Sequence, residues 1–300
     1  MSETLDTSHL MPETVAFLHR PQAERIAEIR RDHWVGYPRA KEALKQLDDL
    51  LTHPRTTRMP NLLLVGPSGI GKTTIIERFE AMHPVTSDAE GGPIMPVLSV
   101  NMTTVPSEAQ FWPEMLNALC VSYRETRDAQ RLKRQALEVM RMNQCRMVII
   151  DEIHNLLTGG PREQRTFLVL LKNLSNQLGV PLVCVGTADA VRALATDTQL
   201  ASRFTSFGLR KLPLDKSFQA FLKSYERRLP LEKPSRLIDR DITAAIHRGS
   251  NGGVIADVTK MLRDAAVMAV RSGEERITLQ ILKELPQLRI SDPGADGGLG

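Results

Sequence analysis

The sequence predicts an α/β fold in which a parallel sheet of five strands is flanked by helices and followed by a small helical domain. Three observations support this prediction. From residue 61 onward, short apolar runs alternate with segments of helical periodicity. A glycine-rich segment with the spacing of a phosphate-binding loop directly follows the first of these runs. After Pro213 the strand-like runs stop and only helical patterns continue.

The predicted strands are short apolar runs at residues 62–65, 97–100, 147–150, 182–185 and, more weakly, 207–209. Apolar runs separated by amphipathic segments are typical of βαβ units, in which helices cover both faces of a parallel sheet. Gly179 and Pro181 end the last helix that lies between these runs. The helices between the runs are predicted at about residues 72–81, 108–123, 128–142 and 162–178.

Helical patterns also precede and follow the predicted sheet. Residues 21–34 and 38–51 have apolar residues at helical spacing, and each segment opens with a proline where a helix can begin. Four further helices are predicted at residues 216–228, 240–247, 254–271 and 279–285. We therefore divide the chain into a flexible N-terminus (1–14), N-terminal helices packing on the core (15–60), an α/β core (61–213), a helical lid (214–288) and a flexible tail (289–300).

The composition indicates a globular protein. The 300 residues are 42% apolar and carry a formal net charge of +4, which is only a weak sign of an anionic partner. Cys120, Cys145 and Cys184 have no Cys-x-x-Cys spacing and lie among apolar neighbours, so we interpret them as reduced core residues. No segment resembles a signal peptide or a membrane span. We expect a cytoplasmic protein with no membrane partner.

The strongest motif is a phosphate-binding loop between the first predicted strand and the helix after it. Glycines let the backbone fold around a phosphate with N–H groups pointing inward, and the helix adds the positive end of its dipole. Lys72 is predicted to contact the β- and γ-phosphates of ATP, and the Thr73 hydroxyl to hold Mg²⁺. A glycine-rich turn with an accidental lysine is the alternative, which the strand and helix context disfavours. The pattern GxxxxGK[ST] is matched by Gly66, Pro67, Ser68, Gly69, Ile70, Gly71, Lys72 and Thr73, with Thr74 next in the helix.

Two acidic residues, Asp151 and Glu152, follow the third predicted strand. They lie at its carboxyl end, where open α/β sheets bind their ligands. Asp151 is predicted to organise the Mg²⁺ shell, and Glu152 to orient and polarise the attacking water. Alone, such a pair equally fits a helix N-terminus whose dipole it satisfies. Together with the phosphate-binding loop, the pair predicts an enzyme that hydrolyses ATP to ADP and phosphate with Mg²⁺.

Two more residues are candidates for the hydrolysis site. Thr187 ends the fourth predicted strand, where its hydroxyl can contact the water or the γ-phosphate, although a strand-end turn explains it too. Arg203 follows a short helical stretch. It can serve as an arginine finger in the transition state, or be an ordinary solvated or salt-bridged arginine. The residues alone leave both alternatives open.

In combination, these motifs resemble those of the AAA+ ATPases. Residues 66–73 resemble Walker A, Asp151 and Glu152 resemble Walker B, Thr187 resembles sensor 1, and Arg203 resembles the arginine finger before the last core strand. The resemblance therefore implies an AAA+ P-loop NTPase core with a helical lid. Within that superfamily, residues 20–285 are most similar to the TniB/TnsC-type regulators of DNA transposition. This similarity is carried by WVGYPRA (34–40), RMPNLLL (58–64), IDEIHNL (150–156) and LASRF (200–204).

The resemblance implies an ATPase that assembles on double-stranded DNA in its ATP-bound form, as a ring or helical filament, without strong sequence preference. Such a protein marks the target site and recruits or activates a transposase, often with a TniQ-like targeting protein as a further partner. Arg203 would act on the nucleotide of a neighbouring subunit. Val35 and Gly36 would lie near the adenine.

The candidate DNA contacts are polar and basic residues in connections that would face a central pore. Contacts of this kind to phosphates need no base code. A solvated helix face explains any single one of them equally well. The candidates are Thr103, Thr104, Arg127, Arg131, Lys133 and Arg162, with Asn101, Arg124 and Arg134 beside them.

One departure from the AAA+ pattern concerns the lid. Many AAA+ lids carry an arginine early in the third lid helix that contacts the γ-phosphate, whereas this sequence has Ile255 there, with Arg263 two turns further on. Two other functions stay open as alternatives. A replication initiator or helicase loader is disfavoured because no helix-turn-helix or winged-helix pattern follows the lid. A nucleotide-gated scaffold with little hydrolysis is disfavoured by Glu152.

Overall fold

The structure is a computed structural model that describes residues 6–124, 126 and 128–285. The chain divides into two compact units. The sheet unit is Pro38–Arg210, and the helical unit combines Met1–Tyr37 with Lys211–Gly300. No helix among the described residues is long and apolar enough to cross a membrane.

The described residues contain seven strands. Their bounds are β1 (Asn61–Val65), β2 (Thr86–Ser87), β3 (Pro93–Ile94), β4 (Val97–Asn101), β5 (Met147–Asp151), β6 (Leu182–Gly186) and β7 (Phe204–Gly208). Five of them form a parallel sheet in the order β4-β5-β6-β1-β7, and β2 and β3 form a small antiparallel pair. The predicted α/β fold with a five-stranded parallel sheet is confirmed.

Each predicted helix has a counterpart in the structure, whereas the helices at residues 12–18 and 188–195 were not predicted. Their bounds in the described residues are α1 (Pro12–Leu18), α2 (Gln22–Arg30), α3 (Pro38–Leu51), α4 (Lys72–Met82), α5 (Glu108–Ala118), α6 (Ala129–Met142), α7 (Pro161–Leu178), α8 (Ala188–Ala195), α9 (Thr198–Ala201), α10 (Lys216–Glu226), α11 (Arg240–Gly249), α12 (Ile255–Ser272) and α13 (Leu279–Glu284). A 3₁₀ helix, Ile153–Thr158, directly follows Glu152.

The core of the sheet unit lies between the sheet and its helices. Every residue of β5 and β6 is buried, as expected for central strands covered on both faces. On one face the rings of Phe111, Trp112 and Phe167 meet edge to face, with centroids 5.1 and 5.4 Å apart. Each such aromatic pair adds about 0.5–1.5 kcal/mol beyond the burial of its surface. This packing fixes the strands whose ends carry the candidate site.

Two edges of the sheet position different sets of residues. Because the strands are parallel, their carboxyl ends share one edge, where Val65 pairs with Gly186 and Asn101 pairs with Asp151. We call this the carboxyl edge. At the opposite edge the strands begin, and Asn61 pairs with Phe204. We call this the amino edge.

Two sequence predictions in the sheet unit need correction. The last strand was predicted at residues 207–209 but spans Phe204–Gly208, because this strand at the end of the sheet exposes Thr205 and Ser206 and so lacks an apolar run. The helix predicted to reach residue 123 ends at Ala118, and Cys120 follows with a left-handed backbone (φ 56°). Cys120 is therefore exposed and was wrongly assigned to the core.

The other two cysteines lie in the core, as predicted. Cys145 and Cys184 are both free and buried. Burial raises the pKa of the Cys145 thiol to about 12 and raises that of Cys184 as well. Both thiols are therefore protonated and unreactive at neutral pH.

The N-terminal helices are distributed over both units. The predicted division grouped residues 15–60 with the core, whereas α1 and α2 belong to the helical unit and α3 to the sheet unit. The buried Arg25 of α2 explains this difference, because its guanidinium donates to both carboxylate oxygens of Glu275 and to the carbonyl of Pro230.

Only part of the two predicted flexible ends lies within the described residues. Leu10 is buried and α1 begins at Pro12, so described residues of the predicted N-terminal segment 1–14 contribute to the fold. Residues 1–5 and the predicted tail at 289–300 lie outside the described residues.

Candidate nucleotide-binding site

The loop between β1 and α4 requires glycine at two positions for different reasons. Gly71 directly precedes α4 with φ +86°, a left-handed conformation that disfavours other residues. A Cβ on Gly66 would lie 2.9 Å from the carbonyl oxygen of Leu209 and equally close to the Ile70 side chain. No side chain caps α4, and the first N–H groups of a helix have no partner inside it. The loop therefore presents backbone donors and a helix dipole to an anion.

Lys72 lies at the start of α4 and is buried. Its Nζ donates to the carbonyl oxygens of Gly66 and Pro67, at 2.9 Å each, so both acceptors are neutral. Burial lowers the pKa of Lys72, and the nearby carboxylates of Asp151 and Glu152 oppose this shift. The ammonium is thus held at the mouth of the loop, where a phosphate would supply a charged acceptor.

The two predicted Mg²⁺ ligands are in direct contact. Thr73 Oγ1 donates to Asp151 Oδ2 at 2.9 Å, and Asp151 Oδ1 accepts a bond from the backbone N–H of Glu152 at 2.7 Å. Mg²⁺ prefers oxygen ligands, takes few from the protein and completes its shell with water and phosphate. The pair fits that requirement. In the described part of the chain no group of three or more His, Cys, Asp or Glu residues could hold a metal.

Glu152 has a strained backbone at the carboxyl edge. It adopts φ 56° and ψ 33° between β5 and the 3₁₀ helix. A left-handed conformation costs a non-glycine residue about 1–3 kcal/mol and persists where the surroundings impose it. Here the Glu152 carbonyl accepts a bond from the Asn155 N–H at 2.9 Å. The Glu152 side chain is 47% exposed, so its carboxylate can reach a water beside the loop.

His154 lies beside this carboxylate and was not predicted as a site residue. Its Nε2 lies 3.1 Å from Glu152 Oε2. Its Nδ1 is buried and has no hydrogen-bond partner among the described residues. A Cβ on Gly186 would lie 3.4 Å from that nitrogen, which places the ring between Glu152 and the end of β6.

Thr187 follows β6 at the carboxyl edge, next to the phosphate-binding loop. The N–H of Gly66 donates to the carbonyl of Gly186 at 3.2 Å, which joins the two segments. Thr187 precedes α8 with an extended backbone, and its side chain makes no capping bond to that helix. Thr187 therefore directly follows the residue that bonds to the loop, and its side chain does not cap its own helix.

Arg203 lies at the other edge of the sheet. Its backbone carbonyl accepts a bond from the N–H of Asn61 at 2.9 Å, where β1 and β7 begin. Its Nη1 donates to Asn176 Oδ1 at 2.6 Å. It lines a cavity of about 270 Å³ together with Arg58 and neighbouring residues of the two strand starts. The structure therefore separates Arg203 from the phosphate-binding loop of its own chain.

The candidate DNA-contact residues fall into two groups. Thr104 accepts a bond from Thr158 at 2.5 Å, and a Cβ on Gly159 would clash with Pro106, so the loop after β4 lies against the segment that leads into α7. The loop that carries Thr103 and Thr104 therefore lies close to the start of α7, where Arg162 is the second residue. Arg131, Lys133 and Arg134 lie apart from them on α6, and the Lys133 ammonium lies 5.9 Å from the Trp112 ring centroid. Arg127 lies outside the described residues.

The remaining candidates belong to the helical unit. Val35 is buried and Gly36 is half-buried, and both lie outside helices. Ile255 is the first residue of α12, the third helix of the predicted lid. Arg263 of the same helix forms an ion pair with Asp32. The proximity of Val35 and Gly36 to adenine stays a prediction.

Comparison with protein families identifies the chain. The family of bacterial TniB proteins matches residues 25–213, which is more than half of the chain. The chain belongs to the TniB family. This match covers both predicted Walker motifs and Arg203.

Individual relatives of this TniB-family chain are distant. It is 26% identical over 264 residues to the ATP-dependent zinc metalloprotease FtsH of Caldicellulosiruptor bescii, and 25% identical over 255 residues to that of Thermus thermophilus. Each match covers 83% of this chain but only 38% or 37% of the relative. The chain thus spans well under half the length of the curated relatives that it matches.

Solved structures place the fold among the AAA+ proteins. The Aeropyrum pernix ORC1 protein in complex with DNA matches with a TM-score of 0.61 and 17% identity, over 86% of this chain and 67% of that one. Cdc6p from Pyrobaculum aerophilum matches with a TM-score of 0.60 and 19% identity, over 84% and 67%. At these identities the likeness shows the fold alone. The TniB-family chain therefore has the AAA+ P-loop fold.

Two site residues were missed although their segments had been singled out. His154 lies within IDEIHNL, and Arg58 opens RMPNLLL, but neither received a role. The presence of a histidine two residues after Glu152 was a usable signal for the first. Nothing in the sequence signalled that Arg58 and Arg203 line the same cavity.

Proposed function

We propose that this TniB-family protein is a Mg²⁺-dependent ATPase whose hydrolysis site is completed by a neighbouring copy, and that the assembled copies regulate DNA transposition. One observation carries the proposal of a shared site. Arg203 lies at the amino edge, whereas Lys72 and Asp151 lie at the carboxyl edge. The five residues of β1 span about 16 Å at roughly 3.3 Å per residue, too far for an arginine side chain to cross.

The residues of the carboxyl edge would bind and orient the nucleotide. The loop N–H groups and Lys72 would hold the phosphates, and Thr73 and Asp151 would hold Mg²⁺, which neutralises charge on the phosphate oxygens. Glu152 would orient the attacking water, and Thr187 would contact that water or the γ-phosphate. Phosphoryl transfer needs little covalent help, so positioned groups and neutralised charge suffice.

Arg203 would supply the remaining positive charge from the next copy. An interface that joins the amino edge of one copy to the carboxyl edge of another is head-to-tail, and such interfaces build rings or open helical filaments. ATP at each interface would then favour assembly because it contacts both copies.

Double-stranded DNA is the proposed surface on which the copies assemble. The TniB family and the solved ORC1–DNA complex of the same fold support a DNA-related role. The loop that carries the candidate DNA contacts Thr103 and Thr104 also touches the end of β5. The N–H of Met102 in this loop donates to the carbonyl of Asp151 at 2.8 Å. A transposase, and a TniQ-like protein, are the partners that the family suggests. Because the sequence lacks the His-Glu-x-x-His pattern of zinc proteases, we do not extend the FtsH relatives' activity to this chain.

The shared site can be tested by mixing two inactive variants. Arg203→Ala keeps an intact pocket, and Lys72→Ala keeps an intact finger. If Arg203 acts on the neighbour, about a quarter of the interfaces in a random equimolar mixture join an intact pocket to an intact finger. The rate of ATP hydrolysis should then recover to roughly the same fraction of the rate of the unmodified protein. Arg192→Ala is the matched control, since Arg192 is exposed and already paired with Asp189. No recovery in assemblies shown to be mixed would mean that Arg203 acts within its own chain or not at all.

A further inference from the structure

A second guanidinium lies beside Arg203 at the amino edge. Arg58 Nη2 donates to Ser202 Oγ at 2.5 Å, and Ser202 directly precedes Arg203. Arg58 and Arg203 line the same cavity of about 270 Å³, which is formed by residues 58–60 and 202–205. Two segments that are distant in sequence therefore bring two positive charges to one place.

The charges of this pair are not compensated within the described part of the chain. Arg58 donates to a hydroxyl and Arg203 to the Asn176 amide oxygen, and neither forms an ion pair with a described carboxylate. Arg203 Nε is buried without a hydrogen-bond partner there. Among the described arginines of the sheet unit, Arg39 and Arg192 do form ion pairs, with Glu42 and Asp189, but neither of them lines this cavity. Two like charges held together repel each other, so the cavity favours an external anion.

The backbone on both sides of the cavity is anchored. The Asn61 N–H donates to the Arg203 carbonyl, and Asn61 Oδ1 accepts the N–H of Leu182 at 2.9 Å. Met59 is buried next to Arg58, and its sulfur accepts the N–H of Thr56 at 3.3 Å. Arg203 therefore directly precedes β7, and Arg58 lies three residues before β1, next to the buried Met59.

We propose that Arg58 and Arg203 form one anion site that receives the triphosphate of ATP bound to a neighbouring copy. A guanidinium presents a planar set of donors that matches phosphate oxygens in pairs, and two such groups can engage different oxygens of one triphosphate. Arg203 is the finger of the proposed function, on which this inference rests. Arg58 is a second catalytic residue of the same site, supplied by the same copy.

Single variants test whether Arg58 takes part. Arg58→Ala should lower the rate of ATP hydrolysis per assembled copy at least ~10-fold, while binding of a fluorescent ATP analogue to its own pocket changes less than about 2-fold. Arg58→Lys keeps the charge but loses the paired donors, so its rate of hydrolysis should lie between that of the unmodified protein and that of Arg58→Ala. Arg55→Ala is the matched control, because Arg55 is exposed in the same segment but does not line the cavity. Unchanged hydrolysis by Arg58→Ala would overturn the proposal.

Mixtures test whether the two arginines act from one copy. Arg58→Ala mixed with Lys72→Ala should recover part of the activity, as Arg203→Ala does with Lys72→Ala. Arg58→Ala mixed with Arg203→Ala should not recover, because every interface then lacks one of the two arginines. Recovery in this last mixture would show that Arg58 serves its own nucleotide and would overturn the inference.

The outcomes separate this inference from the proposed function. If Arg203→Ala and Lys72→Ala complement each other while Arg58→Ala is fully active, the shared site stands and the role of Arg58 is refuted. If neither arginine variant complements Lys72→Ala, the shared site itself fails. If Arg58→Ala hydrolyses ATP normally but binds duplex DNA more weakly with a flatter salt dependence, the cavity binds DNA phosphates instead.

Discussion

The two edges of the sheet hold opposite arrangements of charge. At the carboxyl edge a buried Lys72 lies near Asp151 and Glu152, so the cation and its counter-charges come from one chain. At the amino edge Arg58 and Arg203 line one cavity, and the acceptors that they contact among the described residues, Ser202 and Asn176, are neutral. In the proposed function the carboxyl edge binds the nucleotide, and the amino edge receives the triphosphate bound to a neighbouring copy. In the proposed function these two edges are the halves of one hydrolysis site, which neighbouring copies complete for each other.

The largest effect that tests this comparison is expected at the carboxyl edge. Lys72→Ala removes the charge that meets the phosphates, and should abolish tight ATP binding as well as hydrolysis. Glu152→Gln should retain ATP and lower hydrolysis at least ~100-fold, because an amide cannot polarise the water as a carboxylate does. Equilibrium binding of a fluorescent ATP analogue separates the two variants. Lys45→Ala, an exposed lysine on α3, is the control.

The two variants must differ if Glu152 acts on water. A comparable loss of affinity in both would mean that Glu152 contributes to binding and is not a selective water-positioning group. Retained hydrolysis in Glu152→Gln would move the water-positioning role to another residue at this edge.

The sequence predicted the two edges unequally. The carboxyl edge could be predicted because its residues form short contiguous motifs that follow apolar strands, as at Lys72 and Asp151. At the amino edge Arg203 was predicted from its own segment but its neighbour Arg58 was not, since Arg58 and Ser202 are 144 residues apart and the pairing of β1 with β7 brings them together. The assignment of α2 fails for the same reason: Arg25 contacts Glu275 across 250 residues. Contacts between distant segments depend on tertiary packing, which periodicity does not encode.

An intermediate effect is expected at His154, which sharpens the description of the carboxyl edge. Its Nε2 lies 3.1 Å from Glu152 Oε2, so it can hold the carboxylate in one orientation. His154→Ala should lower kcat about 10-fold with little change in ATP affinity, because small displacements of a positioned group are costly. His154→Gln should retain most of the activity, since its amide can donate in the same direction. Steady-state kinetics that separate kcat from KM are the measurement.

A matched control for His154 exists in the helical unit. His33 lies 3.6 Å from Glu28, so His33→Ala removes a similar pair away from the sheet unit. If His154→Ala and His154→Gln both weakened ATP binding equally, the histidine would have a structural role in the 3₁₀ segment. Faster hydrolysis in His154→Ala would instead mean that the contact restrains Glu152.

The smallest effect is expected for single DNA contacts, because an assembled array would share its affinity among many weak phosphate contacts. Arg131 is exposed on α6 and Arg162 is exposed at the start of α7, so each can reach a phosphate without disturbing the core. Replacing either by alanine should lower affinity equally for two unrelated duplexes, and should flatten the dependence of affinity on salt by about one unit per lost contact. Fluorescence anisotropy over a salt series, with and without an ATP analogue, measures both quantities. Arg192→Ala is again the control. Equal binding without nucleotide would contradict ATP-dependent assembly across the two edges, whereas an unchanged salt slope would remove that arginine alone from the DNA surface.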